Sequence, residues 1–203
     1  MQTMFLLNKN PEIIDVPWKL AIIDDCLPID IANHLRDNFP KGGHEKLKDF
    51  YQLNGPQNMH DHIFKSFFEE NWFRRQEIND RAHDILNIEY RDSEITRWNY
   101  TYFPAGNPNN MIRDWHTDLM DKRVQFILYL GYNSNHITFE AGDSNRSHFK
   151  MPFVHNRLIF WHATKDSWHR FFYCETDRYT VNLTSQTARA STNYLGLENY
   201  VTQ

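Results

Sequence analysis

The sequence predicts a single α+β domain, with helices in its first half and a barrel or sandwich of short strands in its second. Three observations carry this. Between Ile63 and Leu86 the apolar residues Phe64, Phe67, Phe68, Trp72, Phe73, Ile78, Ala82, Ile85 and Leu86 recur at helical spacing. After Glu89 the texture changes to β-branched and aromatic runs separated by Pro, Gly, Asn and Asp turns. No linker, low-complexity tract or internal repeat divides the 203 residues, a length ordinary for one domain with one sizeable core.

In chain order, Trp18 to Asp24 reads as a short strand, and Asp25-Cys26-Leu27-Pro28 turns it into a helix from about Asp30 to Asn38. Ile31, His34 and Leu35 are expected on one face of that helix, which Pro40 and Gly42-Gly43 end. Residues 44 to 63 are polar, contain Gly55-Pro56 and read as an irregular surface stretch. The stripe from Ile63 to Leu86 gives one long or two short amphipathic helices whose aromatics belong to the core. Strands are then expected over residues 94–103, 124–130, 136–140, 157–161, 168–173 and 178–183. Residues 1–93 would thus support a β core of about 94–190 within one domain spanning 1–203.

Composition excludes several function classes. Hydrophobic residues make 40% and charged residues 24%, with a mean hydropathy of −0.71, as in an ordinary globular chain. Only 7 glycines occur, with no GxGxxG or GxxxxGK[ST], so phosphate-cradling loops of those kinds drop out. The net charge is −4 and the 22 Lys and Arg are scattered, which disfavours nucleic acid as a partner. Cys26 and Cys174 make neither a CxxC site nor a disulfide framework, which fits a reducing compartment. The opening Met1 to Lys9 holds a three-residue apolar run and no later stretch approaches a membrane span, so a soluble cytoplasmic protein without a membrane partner is expected.

The most suggestive local pattern is Trp115-His116-Thr117-Asp118. Residues i and i+2 of a strand share a face, so an imidazole nitrogen and a carboxylate oxygen can converge on one metal ion. A distant His would complete a face of two imidazoles and one carboxylate, leaving adjacent positions open on Fe(II). Chance must be weighed, because 11 His and 16 Asp in 203 positions predict about one accidental HxD, and one is present. Taken alone, the pattern is equally a polar turn.

Candidates for the distant His are His136, His148, His155, His162 and His169. His169 lies in an expected strand, and Arg178 follows nine residues later at the start of the next. An always-charged guanidinium can grip a carboxylate bidentately, whereas a surface Arg at a turn is the plain alternative. His162 shares the local Trp-His pattern but leaves Arg178 16 residues away, so it reads better as a buried neutral side chain or a donor supporting the ligands. His60-Asp61-His62 reads as a solvated cluster.

Over about Arg97 to Leu183 the chain resembles the 2-oxoglutarate and Fe(II)-dependent dioxygenases, in particular their prolyl 4-hydroxylase-like branch. Phe103-Pro104-Ala105-Gly106 followed by His116-x-Asp118 is similar to that family's Tyr-Pro-x-Gly strand leading into its HxD. Phe126-Ile127-Leu128-Tyr129-Leu130-Gly131 is similar to the strand ending in Tyr-Leu-Asn. Asn156-Arg157-Leu158-Ile159-Phe160-Trp161 matches the asparagine-or-glycine-Arg-Leu strand before the distal His, and Trp168-His169 with Arg178-Tyr179-Thr180 matches the spacing of that His to a cation. Five landmarks in order are far more specific than any one of them.

The resemblance implies a double-stranded β-helix, of jelly-roll or cupin-like form, with supporting N-terminal helices. It implies His116, Asp118 and His169 as Fe(II) ligands and as the catalytic set. Arg178 would pair the far carboxylate of 2-oxoglutarate, and Tyr129 would hydrogen-bond the same group, with Thr180 adding a hydroxyl. The implied reaction is hydroxylation of a small-molecule or peptide substrate, with prolyl peptide or free amino acid favoured, consuming O2 and releasing succinate and CO2, with ascorbate as an optional reductant. Asp118 makes halogenation a poorer reading than hydroxylation, since related halogenases have a small residue there.

The chain also departs from the family. Phe103 stands where a hydroxylated ring is often found, so a tyrosine contact from that strand would come from Tyr100 or Tyr102, and Tyr102 is the expected one. Asn107 to Asp114 is longer than usual and is a candidate lid. The Gly-Gly-Glu-Leu segment is absent, and Phe139-Glu140-Ala141-Gly142-Asp143 only weakly resembles it. No RxNxTxR follows Arg178, so the nucleic-acid demethylase branch is a poor match. The competing readings are a cupin-like binding protein without turnover and a different metalloenzyme such as a zinc hydrolase.

Overall fold

The computed structural model describes residues 9–15, 17–39, 45–47, 50–54, 75–89, 93–118 and 122–187. Its elements are β1 (Glu12–Ile14), β2 (Leu20–Ile23), α1 (Ile29–Asp37), β3 (Glu45–Leu47), β4 (Phe50–Asn54), α2 (Arg75–Leu86), β5 (Ser93–Phe103), β6 (Met111–His116), β7 (Lys122–Gly131), β8 (Ile137–Gly142), β9 (Ser147–Pro152), β10 (Arg157–His162), β11 (Trp168–Phe172) and β12 (Arg178–Thr187). They form two antiparallel sheets: eight strands in the order β1-β2-β10-β7-β12-β5-β4-β3, and four in the order β6-β11-β8-β9. From β5 onward successive strands alternate between the sheets, except that β8 and β9 form a hairpin in the smaller one. That winding is the double-stranded β-helix.

Period-2 alternation assigns the apolar residues of β2 and β7 to one of two cores. On β2, Ala21 and Ile23 pack with α1 and α2, while Leu20 and Ile22 pack between the sheets. On β7, Val124, Phe126, Leu128 and Leu130 face the helices, and Ile127 and Tyr129 face the other sheet. The helical side is closed by Ala32, Leu35 and Phe39 at α1 and by Ile78, Ala82 and Leu86 of α2. Each of the six expected strands is present.

Three expectations are corrected. Residues 45–47 and 50–54 are not irregular: β3 and β4 pair antiparallel and add to the edge of the large sheet against β5. At a sheet edge a strand needs no apolar alternation, which is why its polar sequence gave no strand signal. On α1 Ile31 and Leu35 do face the core, together with Ala32, but His34 is exposed. Asn107 to Asp114 is no lid: only Asn107 to Asn110 turn, and Met111 begins β6, paired with β11. The stretch 63–74 and the cluster His60-Asp61-His62 lie outside the described residues.

Candidate active site

Between the two sheets lies a cavity of about 140 Å³ lined by His116, Asp118, His169, Arg178, Tyr129 and Thr180, together with Asn99, Thr101, Phe103, Ile112, Arg113, Gln125, Ile127, Trp161, Phe171, Asn182 and Thr184. The two imidazoles come from adjacent strands. His116 ends β6 and His169 sits opposite it in the register of β11, which places the ring centroids 4.3 Å apart.

Their tautomers are set from behind. Each Nδ1 lies against the backbone carbonyl two residues upstream, His116 against Asp114 at 2.7 Å and His169 against Ser167 at 2.9 Å. A ring nitrogen beside a carbonyl must carry the proton, so the lone pair of each ring is on Nε2. Burial, then the His169 and Arg113 charges, push the His116 pKa down to about 2. The ring is therefore neutral, the form that binds metal. Among the described residues no three His, Cys, Asp or Glu side chains are already drawn together closely enough to hold a metal ion. His116 and His169 make the close pair, and Asp118, two residues past His116, lines the same cavity. Two imidazoles that present Nε2 and a carboxylate remain a donor set suited to a divalent transition metal such as Fe(II).

The walls behind the pair are aromatic and braced. His169 packs edge-on to Trp161 at 5.0 Å and stacks with Phe139 at 6.0 Å. On the outer side of these strands, Arg170 donates through Nε and Nη2 to Oε2 of Glu140 at 2.9 and 2.7 Å, and Lys150 reaches Oε1 at 3.1 Å. The Arg170 guanidinium also lies 4.6 Å from the Trp115 ring. Residues adjacent to both histidines are thus tied to one carboxylate on β8.

At the other end of the cavity, Arg178 is 1% exposed, and among the described residues its Nε and Nη1 have no hydrogen-bond partner. The Tyr129 hydroxyl is equally buried and unpartnered. Burial pushes the Tyr129 pKa up to about 12, against the pull of the Arg178 charge, so the phenol keeps its proton and can donate. Leaving such donors buried without acceptors is costly, and a charged one most of all. A carboxylate entering the cavity would satisfy both. Thr180 stands beside Tyr129 in the register of β12 and β7.

Tyr102 is corrected. Its hydroxyl donates to Oδ2 of Asp177 at 3.3 Å and its ring stacks on Tyr179 at 5.6 Å, on the far face of the sheet from the cavity. The reason is parity: Asn99, Thr101 and Phe103 line the cavity, so Tyr100 and Tyr102 of the same strand point the other way. His162, at the end of β10, is not among the cavity residues, and burial lowers its pKa. Sequence reasoning missed Asn99, Thr101, Gln125, Asn182 and Thr184. Counting in twos from Arg178 and Tyr129 finds the β12 and β7 members.

No family sequence model matches the chain, and no curated protein matches it by sequence. Solved structures do. A Pseudomonas putida prolyl-4-hydroxylase is similar over 83% of this chain and 92% of its own, at 12% identity and a TM-score of 0.58. A prolyl hydroxylase from Trichoplax adhaerens, in complex with a hypoxia inducible factor peptide fragment, is similar over 87% of each chain at 13% identity and a TM-score of 0.63. A full-length Neurospora crassa protein, in complex with alpha-KG and 5-formyluracil, is similar over 83% of this chain and 74% of its own at 13% identity and a TM-score of 0.56. The chain therefore has the double-stranded β-helix fold of these proteins.

Proposed function

We propose that this protein is an Fe(II)- and 2-oxoglutarate-dependent dioxygenase that hydroxylates an organic substrate. One observation carries the reading. A single cavity holds two imidazoles turned to present Nε2 at one end and, at the other, a buried Arg178 whose Nε and Nη1 have no partner among the described residues. His116, Asp118 and His169 would hold the metal, and Arg178, Tyr129 and Thr180 the far carboxylate of 2-oxoglutarate. Fe(II) with 2-oxoglutarate and O2 supplies an oxidation that places a hydroxyl on carbon and releases succinate and CO2.

The chain's own residues do the positioning. The carbonyls of Asp114 and Ser167 hold both rings in one orientation, and Trp161, Phe139 and Phe171 keep water from the rear of His169. Among the comparison proteins one is in complex with a peptide and another with 5-formyluracil, which supports a peptide or a small molecule as substrate. Both cysteines are buried and free, in keeping with a reducing compartment, and ascorbate would serve as an optional reductant.

Anaerobic addition of Fe(II) and 2-oxoglutarate tests the proposal. A weak visible charge-transfer band is expected in the wild type and lost in His116→Ala and Asp118→Ala. Absence of the band from the wild type, together with no succinate formed in air, overturns it.

A further inference from the structure

The inward residues of the large sheet line up as cross-strand rungs: Thr180 with Thr101 and Tyr129, Asn182 with Asn99, and Thr184 with Gln125. Trp161 stands beside Gln125 on the last of these, at the end of the ladder away from Arg178. It is 0% exposed, lines the cavity, and packs against His169 with ring centroids 5.0 Å apart. A second indole, Trp18 in the segment before β2, touches both, 5.8 Å from Trp161 and 6.4 Å from His169. Trp18 lies outside the cavity lining and is partly exposed. His169, Trp161 and Trp18 thus form one continuous aromatic contact from the cavity to the surface.

The two indoles differ in how well they bear a positive charge. Among the described residues Trp161 Nε1 has no hydrogen-bond partner, and its ring packs among Trp18, Phe139 and His169. A cation formed there would be buried without compensation. Trp18 Nε1 donates to the Trp168 carbonyl at 3.2 Å, and part of the residue meets solvent. A carbonyl dipole and water both stabilise charge on that ring. An electron missing from Trp161 is therefore replaced from Trp18, and the charge moves outward.

We infer that Trp161 and Trp18 form an electron relay that discharges the site when turnover runs without substrate, with Trp18 as its oxidisable terminus. This rests on the dioxygenase reading above and goes beyond it. In such a turnover O2 takes two electrons from 2-oxoglutarate, which leaves as succinate and CO2, and two more are needed to finish its reduction. Trp18 supplies both, one at a time through Trp161, and with two protons they convert the second oxygen atom to water. Ascorbate restores Trp18 by giving up two electrons and two protons to become dehydroascorbate. Without a reductant, Trp18 takes an oxygen atom from water and becomes hydroxytryptophan, again losing two electrons and two protons. Direct oxygen transfer inside the cavity would instead modify Trp161, the indole that lines it.

The test is aerobic incubation of the Fe(II)-loaded protein with 2-oxoglutarate alone. Peptide mass spectrometry locates added oxygen, and succinate is counted until the visible band is lost. Oxygen is expected on Trp18 only when 2-oxoglutarate is present. Met111, 44% exposed, reports on freely diffusing oxidants and should stay unmodified. Trp18→Phe should move the oxidation to Trp161 and cut the succinate formed before loss severalfold, and Trp18→Tyr, which keeps an oxidisable ring, should restore most of it. If Trp18→Phe fails to fold, the wild-type digest alone decides. Succinate formation with Trp18 unmodified, oxygen on Trp161 alone, equal oxidation of Met111, or an unchanged succinate yield in Trp18→Phe overturns the inference and leaves the dioxygenase reading standing. A wild type with neither band nor succinate overturns that reading, and the relay with it.

Discussion

The guanidinium carbon of Arg178 lies 4.3 Å from the centroid of the Phe103 ring, with Phe153 at 5.8 Å. The two rings shield the buried cation without neutralising it, and burial lowers its pKa from the ordinary arginine value. Phe103 is thus a packing surface for the buried guanidinium.

A buried cation without an anion is a liability to the empty protein. Arg178→Met is expected to stabilise the ligand-free form by about 1–4 kcal/mol, raising Tm by several degrees. The same change should abolish the rise in Tm that 2-oxoglutarate gives the wild type. Differential scanning fluorimetry with and without 2-oxoglutarate reads both effects. A less stable variant that still responds to 2-oxoglutarate would mean that Arg178 is structural.

Tyr129→Phe removes one hydroxyl that has no partner among the described residues. Stability without ligand should stay within about 0.5 kcal/mol. The Kd for 2-oxoglutarate should rise by roughly tenfold, the worth of one hydrogen bond to a charged group. Calorimetric titration under anaerobic conditions checks this, and an unchanged Kd removes Tyr129 from the site.

Glu140 gives the fold a defined acid limit. Burial alone would raise its pKa, but hydrogen bonds and charge from Arg170 and Lys150 hold it below the ordinary glutamate value of 4.5. A carboxyl with a depressed folded pKa contributes stability that is present above the unfolded value and lost as pH falls through the folded one. Glu140→Gln should therefore cost about 1–3 kcal/mol near neutrality, a gap that closes as pH falls below the ordinary glutamate value. Urea unfolding at pH 7 and pH 3.5 measures the gap, and a constant difference would exclude the ion pairs as its cause.

Asn156 holds a left-handed backbone at φ 62° while its side chain accepts from Leu27 N at 3.0 Å and donates to Leu27 O at 2.8 Å. Both Asn156→Gly and Asn156→Ala lose those bonds, but only Ala also strains the backbone. Ala should be the less stable by about 1 kcal/mol. Chemical denaturation of the two variants compares them directly, and the reverse order would mean the left-handed turn is not held.

The same residue explains why part of the fold was legible. An asparagine-or-glycine before Arg157 is a pattern because that turn excludes most L side chains, so backbone geometry leaves a trace in the sequence. His116, Asp118, His169 and Arg178 were likewise singled out by order and spacing, and the fold brings all four to one cavity. The asparagine and threonine rungs left no such trace, because any polar residue fits a strand and only the register shows which face it takes. Tyr102 failed for that reason. The β3–β4 pair and β6 were hidden by their place at sheet edges, where no core demands alternation.

β5 and β12 stay in register from Arg178 and Phe103 as far as Thr184 and Arg97, and the first irregularity comes between Thr184 and Ser185. Over residues 99–103 and 178–184 both faces are committed, one to the helical core and the other to the cavity. Loss or gain of a single codon there would exchange the two faces, putting Tyr100 and Tyr102 into the cavity and the asparagines into apolar packing. The bulge marks where that constraint ends, so length variation among homologous chains should collect beyond it and in the 104–110 connection, leaving the rungs between unaltered in spacing.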